Sequence, residues 1–190
     1  MIISDDQLDA IRETINISAG QSATALSELL GCRVNMEVPE IRFVEINKLG
    51  EVLSEETKSF LSFFSNFEKN FSGNIVVAYE ENQKEKLVSI VINRYGISVD
   101  EENILEEVSN IVFGAFVGGL SNFIGLNITF SPPKKVKVLE ELGNISDSVI
   151  ILGEVLLLPE VNGKIKAKIL IIPTRESVSL LLDKLRGLLG

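Results

Sequence analysis

One feature limits this chain more than any other: it matches itself. Residues 9–39 lie over residues 103–133 at a constant offset of 94 with no gap, pairing Glu13 with Glu107, Asn16 with Asn110, Ile17 with Ile111 and Gly20 with Gly114. The match continues through Leu26/Leu120, Ser27/Ser121, Gly31/Gly125 and Pro39/Pro133. Further on the offset becomes 90, with Gly73 on Gly163, Val88 on Val178 and Ser89 on Ser179. A repeat of this length changes the meaning of every shorter motif inside it. Each half has about 95 residues, a size that buries little core by itself. The expectation is therefore a single domain over 1–190, made of two homologous halves of about 1–96 and 97–190.

Each half opens with a helix pattern. Ser4 followed by Gln7 reads as a capping box, Asp5 and Asp6 suit the positive end of a helix dipole, and Leu8, Ile11, Ile15, Ala19 and Leu26 recur at helical spacing as far as Gly31. That predicts a helix from Asp5 to Leu30. Its counterpart starts at Asp100 or Glu101, follows Ile104, Leu105, Val108, Ile111 and Val112, and stops at Gly125. Both stops are Gly, which suits a left-handed cap.

Strand patterns come next. Arg33 to Val38 alternates polar and apolar, as Asn127 to Phe130 does more briefly, and Pro39 and Pro133 are expected to close them. Longer strands are predicted at Ser59–Glu68 and Asn74–Tyr79, then at Ser148–Leu158 and Lys164–Ile172, the last two joined across Asn162-Gly163. Helices over Asn82–Arg94 and Arg175–Leu189 finish the halves. The order α-β-β-β-α, twice, predicts an α+β fold with long helices packed on a largely antiparallel sheet.

Composition removes whole classes of chemistry. The chain has no His and one Cys, so Ser-His-Asp and Cys-His catalysis and any His/Cys zinc cage are impossible. Lys and Arg number 18 against 27 Asp and Glu, a net charge of −9, which argues against nucleic acid as a partner. Cys32 is read as a small apolar residue in a reducing compartment. The acidic N-terminus lacks the form of a secretion signal, and the most apolar stretches, Ile111–Leu120 and Val149–Pro159, fall short of the roughly 20 residues a bilayer span needs. A cytoplasmic protein without membrane insertion is expected.

On a helix, residues three and four apart share a face, so Asp9, Glu13 and Asn16 form one polar row and Asn103, Glu107 and Asn110 the same row in the second half. A single row of this kind is ordinarily the solvated side of an amphipathic helix. Two copies at one spacing, each followed 23 residues after the Asn by a Pro while most neighbours differ, call for a function.

The pattern resembles the CheC/CheX/FliY family of chemotaxis phosphatases, whose signature is Asp or Ser, three residues, Glu, two residues, Asn, then 22 residues to Pro. The first half matches in full. The second departs only at Asn103, where Asp or Ser is expected. Within the family, two complete Glu/Asn pairs in one chain of this length are most like CheC. CheX has one pair and dimerises, and FliY carries additional domains.

The resemblance implies hydrolysis of the phospho-aspartate of the response regulator CheY. Asn16 and Asn110 would each hold the attacking water by an amide that donates and accepts at once, while Glu13 and Glu107 dock against the regulator and fix the approach of the helix. Asp9 and Asn103 would support the Glu or contact the partner. The chain would need no cofactor of its own, Mg²⁺ being supplied by the response regulator. The resemblance also implies a second possibility, a weakly active regulatory module that sequesters the deamidase CheD in a phospho-CheY-dependent way.

Helical glycine costs about 1 kcal/mol relative to Ala. Gly114, Gly118 and Gly119, with Ala19, Gly20 and Ala23, are therefore predicted to lie where the two long helices cross the sheet or one another, and Gly114→Leu to lower the melting temperature.

Overall fold

The computed structural model describes residues 4–48, 60–96, 100–137, 149–161 and 163–189. In chain order the elements are α1 (Asp5–Leu30), β1 (Val34–Glu45), a 3-10 turn (Ile46–Lys48), β2 (Phe60–Lys69), β3 (Gly73–Glu80), α2 (Glu81–Tyr95), α3 (Glu101–Ile124), β4 (Ile128–Phe130), β5 (Lys134–Val136), β6 (Val149–Pro159), β7 (Ile165–Pro173) and α4 (Arg175–Leu189). The fold is α+β, with every strand pairing among the described residues antiparallel.

The two long helices start and stop where their caps place them. In α1 the Ser4 hydroxyl accepts from the Gln7 N–H, and the Gln7 side chain accepts from the Ser4 N–H in return. In α3 the Asp100 carboxylate accepts from the Glu102 N–H at 3.1 Å. Gly31 and Gly125 terminate them at φ 64° and 67°, a left-handed conformation that a side chain disfavours.

The sheet runs β1-β6-β7-β3-β2-β4, with β5 also on β2. Each half's first strand thus lies against a strand of the other half, and β3 meets β7 at the centre. The registers obey the sequence offsets. Shifting Val34↔Pro159 forward by 94 and back by 90 gives Ile128↔Lys69, and shifting Ile41↔Gly153 gives Lys135↔Phe63; both pairings are made. Neither half's first strand pairs within its own half, and the apolar faces of α1 and α3 are buried in one core.

That shared core lies between α1, α3 and one face of the sheet, with Ile11, Ile15, Leu26, Leu105, Val108, Phe113, Phe63 and Tyr79 buried together. The Tyr79 hydroxyl, entirely buried, meets the Ser109 hydroxyl at 3.1 Å, and Ser109 donates to the Leu105 carbonyl. A smaller cluster of Phe64, Val76, Ile150, Leu152, Leu170 and Ile172 forms separately from it.

Three sequence expectations are corrected. Pro39 does not close a strand: β1 continues to Glu45, and the proline sits in a register shift between Glu37 and Glu40. A bulge tolerates proline because one residue there is unpaired. In the second half, as expected, β4 ends at Phe130 before Ser131, Pro132 and Pro133, and a further short strand, β5, follows them. The stretch Ile111–Leu120, expected to fall short of a bilayer span, lies in the predicted helix Glu101–Ile124, which by length and composition alone is long and apolar enough to cross a membrane, and most of its apolar window is buried in the fold. Close packing falls at Gly119, where a Cβ would meet the Ile15 Cα at 2.8 Å, whereas at Gly114 it would meet only Phe130 at 3.9 Å and at Gly20 nothing within 4 Å. Ser59, Ser148 and Asn162, used in the strand and hairpin predictions, lie outside the described residues.

Candidate functional site

The two polar rows project from α1 and α3 beside the point where each half's first strand is interrupted. On α1, Asp9 and Glu13 are exposed and Asn16 is half-buried. The Asp9 carboxylate pairs with Arg12 at 2.9 Å, one helical turn away, and the same guanidinium donates to the Pro39 carbonyl at 3.3 Å. Among the described residues Glu13 makes no ion pair. Ile17, one turn beyond it, is 57% exposed, leaving an apolar side chain beside a free carboxylate.

Asn16 is fastened. Its Oδ1 accepts from the Val38 N–H at 2.6 Å, and its Nδ2 donates to the Val38 carbonyl at 3.0 Å. Val38 lies within the bulge, outside the ladder that β1 forms with β6. Both its backbone groups need partners because its side chain is fully buried at this point. A primary amide presents the same donor and acceptor as a peptide group, so Asn16 substitutes for the missing strand.

On α3, Asn103 and Glu107 are exposed and Asn110 is half-buried. Glu107 and Asn110 line a surface cleft of about 250 Å³ with Glu106, Phe130, Pro132 and Pro133. The Asn110 amide makes no hydrogen bond among the described residues, unlike Asn16. The repeat supplies the reason: the residue aligned with Val38 is Pro132, whose nitrogen carries no hydrogen. The exact bond that holds Asn16 cannot form at Asn110. Close to the start of α3, Lys135 of β5 is ion-paired with Glu102.

The helices therefore carry Asp9, Glu13 and Asn16 on one face and Asn103, Glu107 and Asn110 on another; Asn16 meets the bulge at Val38, and Glu107 and Asn110 line a cleft with Pro132 and Pro133. Sequence reading missed Arg12, the Val38 backbone, Phe130 and Pro132. The signal for two of these was present as a single mismatch, Val38 against Pro132, next to the matched Pro39/Pro133. Among the described residues no three His, Cys, Asp or Glu side chains gather where a metal ion would sit.

The CheC-like family matches residues 7–42, the stretch that contains α1, its polar row and the bulge. Over 92% of this chain and 91% of the relative, the sequence is 23% identical to a Bacillus subtilis protein named CheY-P phosphatase CheC. It is 28% identical over 74% of its length to the flagellar motor switch phosphatase FliY of Bacillus subtilis, of which it spans 39%. The fold matches the crystal structure of Thermotoga maritima FliY with a TM-score of 0.73, 19% identity, and coverage of 98% and 99% of the two chains. The resemblance carried by the motif is thus found again in whole-chain sequence and in fold.

Proposed function

We propose that this chain is a phospho-aspartate phosphatase acting in the cytoplasm on a CheY-type response regulator. The observation that carries the reading is the free Asn110 amide in a cleft beside the exposed Glu107. The relatives that match this chain are named CheY-P phosphatase CheC and flagellar motor switch phosphatase FliY, which supports the same activity here.

Hydrolysis of an aspartyl phosphate needs a water aligned with the breaking P–O bond and compensation of phosphoryl charge, more than it needs a covalent nucleophile. Water attacks phosphorus, the bond to the aspartate carboxyl oxygen breaks, and the products are the free carboxylate and inorganic phosphate. Asn110, carried into the regulator's site on a rigid helix, accepts a hydrogen bond from that water and donates to a phosphoryl oxygen. An amide does both without titrating, and its position on α3 fixes the water's direction. Glu107 and Glu13, exposed and without an internal ion pair, are the docking carboxylates for a cationic side chain of the regulator. Asp9 and Asn103 border the same faces. Mg²⁺ enters with the regulator.

The test is phosphate release from Mg²⁺-loaded, acyl-phosphate-charged CheY with wild type, Asn16→Ala, Asn110→Ala and the double variant. Acceleration by wild type that the double variant lacks is expected. Binding of the charged regulator without any acceleration would overturn the reading in favour of a binding module, for which the deamidase CheD is the partner to assay.

A further inference from the structure

We infer that Pro132 is a positioning residue that keeps Asn110 available, and that the Val38 backbone holds Asn16 in a latch, so that the second site works as built and the first is held closed. This inference rests on the phosphatase reading. It starts from an asymmetry that the motif cannot express, because both halves carry the same Glu and Asn at the same spacing.

The argument is one of orientation. Holding a water at the regulator's phosphoryl group requires that the Asn amide be free to turn a donor and an acceptor outward. In the first half the Asn16 Oδ1 and Nδ2 each make one hydrogen bond, to the N–H and the carbonyl of one buried residue, which fixes the amide against the bulge; its second lone pair and second N–H cannot be swung outward without breaking that pair. Opening that pair exposes a buried backbone N–H and carbonyl without partners, which is costly. In the second half the aligned position is Pro132, which can offer a carbonyl but no N–H. A bidentate latch is therefore impossible, and the amide of Asn110 is left at the wall of the cleft. The register shift at Glu37/Glu40 and the break between β4 and β5 make room for the two arrangements at equivalent points of the sheet.

Arg12 strengthens the closed form. It ties the same bulge to α1 through the Pro39 carbonyl while holding Asp9. Its aligned position in the second half is Glu106, which faces the cleft and has no guanidinium to offer. Two independent differences, Val38/Pro132 and Arg12/Glu106, thus act in the same direction.

The test exchanges the latch between the halves. Val38→Pro removes the N–H that Asn16 uses and, lying in the bulge, costs no ladder bond of β1 with β6. In an Asn110→Ala background, which we expect to lose on the order of 10²-fold in phosphate release, adding Val38→Pro should restore at least about tenfold, and adding Asn16→Ala should remove that gain again. Conversely, Pro132→Val should lower release by acting on kcat more than KM, because the regulator still docks while Asn110 becomes tied. In parallel, NMR hydrogen exchange of the side-chain amides of the wild type should be slower at Asn16 than at Asn110, and Pro132→Val should slow exchange at Asn110. Equal exchange at the two amides overturns the latch whether or not phosphate is released. A folded Val38→Pro/Asn110→Ala variant with no recovered activity overturns the assignment even if the exchange differs. Failure of the wild type to release phosphate defeats the phosphatase reading alone, since the exchange measurements still judge the latch.

Discussion

The bulge at Val38 and the break at Pro132 occupy the same place in two repeats, and a backbone N–H is present at one and absent at the other. At Val38 the strand continues as β1, and the backbone N–H bonds Asn16, which is absorbed into the fold. At Pro132 the strand is divided into β4 and β5, no N–H is available, and Asn110 stays outside the hydrogen-bond network among the described residues. The lesson is that a matched functional motif fixes which side chains are present but leaves their availability to the backbone opposite them.

The same pair of halves differs most sharply in packing, and there the largest effect is expected. Gly119 lies against the Ile15 backbone, while its aligned partner Ala25 is exposed. Gly119→Leu should cost about 3 kcal/mol, as overpacking against main chain cannot be relieved by a rotamer change. Leucine at position 25 should change stability by less than about 0.5 kcal/mol. Urea unfolding of the two variants checks this, and equal midpoints would break the contrast.

Next in size is the latch itself. Asn16→Ala leaves a buried N–H and carbonyl of Val38 unpaired and should destabilise the fold by about 2 kcal/mol. Asn110→Ala removes no internal bond and should stay within about 0.5 kcal/mol of wild type. If the two losses of stability were equal, Asn16 would not be the structural member of the pair.

How much of this was legible in the sequence follows from the range of the forces involved. The helices α1 and α3 were, because capping residues and helical periodicity act within a few residues, and the caps at Ser4, Gly31 and Gly125 stand where the pattern put them. The α+β class and the two polar rows were legible for the same reason. The exchange of strands between halves was not, since periodicity says nothing about which strand is the neighbour. Proline ordinarily ends a strand, but at Pro39 the shifted register leaves its missing N–H without consequence, so β1 continues where local pattern alone points to a stop. The fastening of Asn16 was hidden because it joins a side chain to a backbone 22 residues away.

A smaller effect tests the core that both halves share. Burial raises the Tyr79 phenol far above its ordinary range, outweighing the Ser109 hydrogen bond, which lowers it. The neutral phenol is thus favoured in the folded protein. Its stabilisation is complete below the ordinary phenol pKa of about 10 and is lost as pH rises above it, when the unfolded chain ionises first. Tyr79→Phe should cost about 1 kcal/mol at neutral pH and reduce the fall in stability on the alkaline side. An unchanged alkaline limb in chemical denaturation would show that the phenol is not the responsible group.

The smallest expected effect concerns the glycines one turn beyond each Asn, Gly20 and Gly114, which the repeats share. Glycine in a helix interior is unfavourable by about 0.5–1 kcal/mol relative to Ala because it loses more backbone freedom on folding. At Gly119 a packed backbone offsets that cost, but a Cβ at Gly20 would touch nothing within 4 Å and one at Gly114 only the tip of Phe130 at ordinary contact distance. Internal packing therefore gives no reason for either to be glycine, and Gly20→Ala and Gly114→Ala should each raise stability by about 0.5 kcal/mol. The two gains should match, because the helices are equivalent here even though their Asn residues are not. Thermal unfolding of the pair decides it: a gain at Gly20 with a loss at Gly114 would mean that the asymmetry of the two halves extends beyond the latch into the helix carrying Asn110.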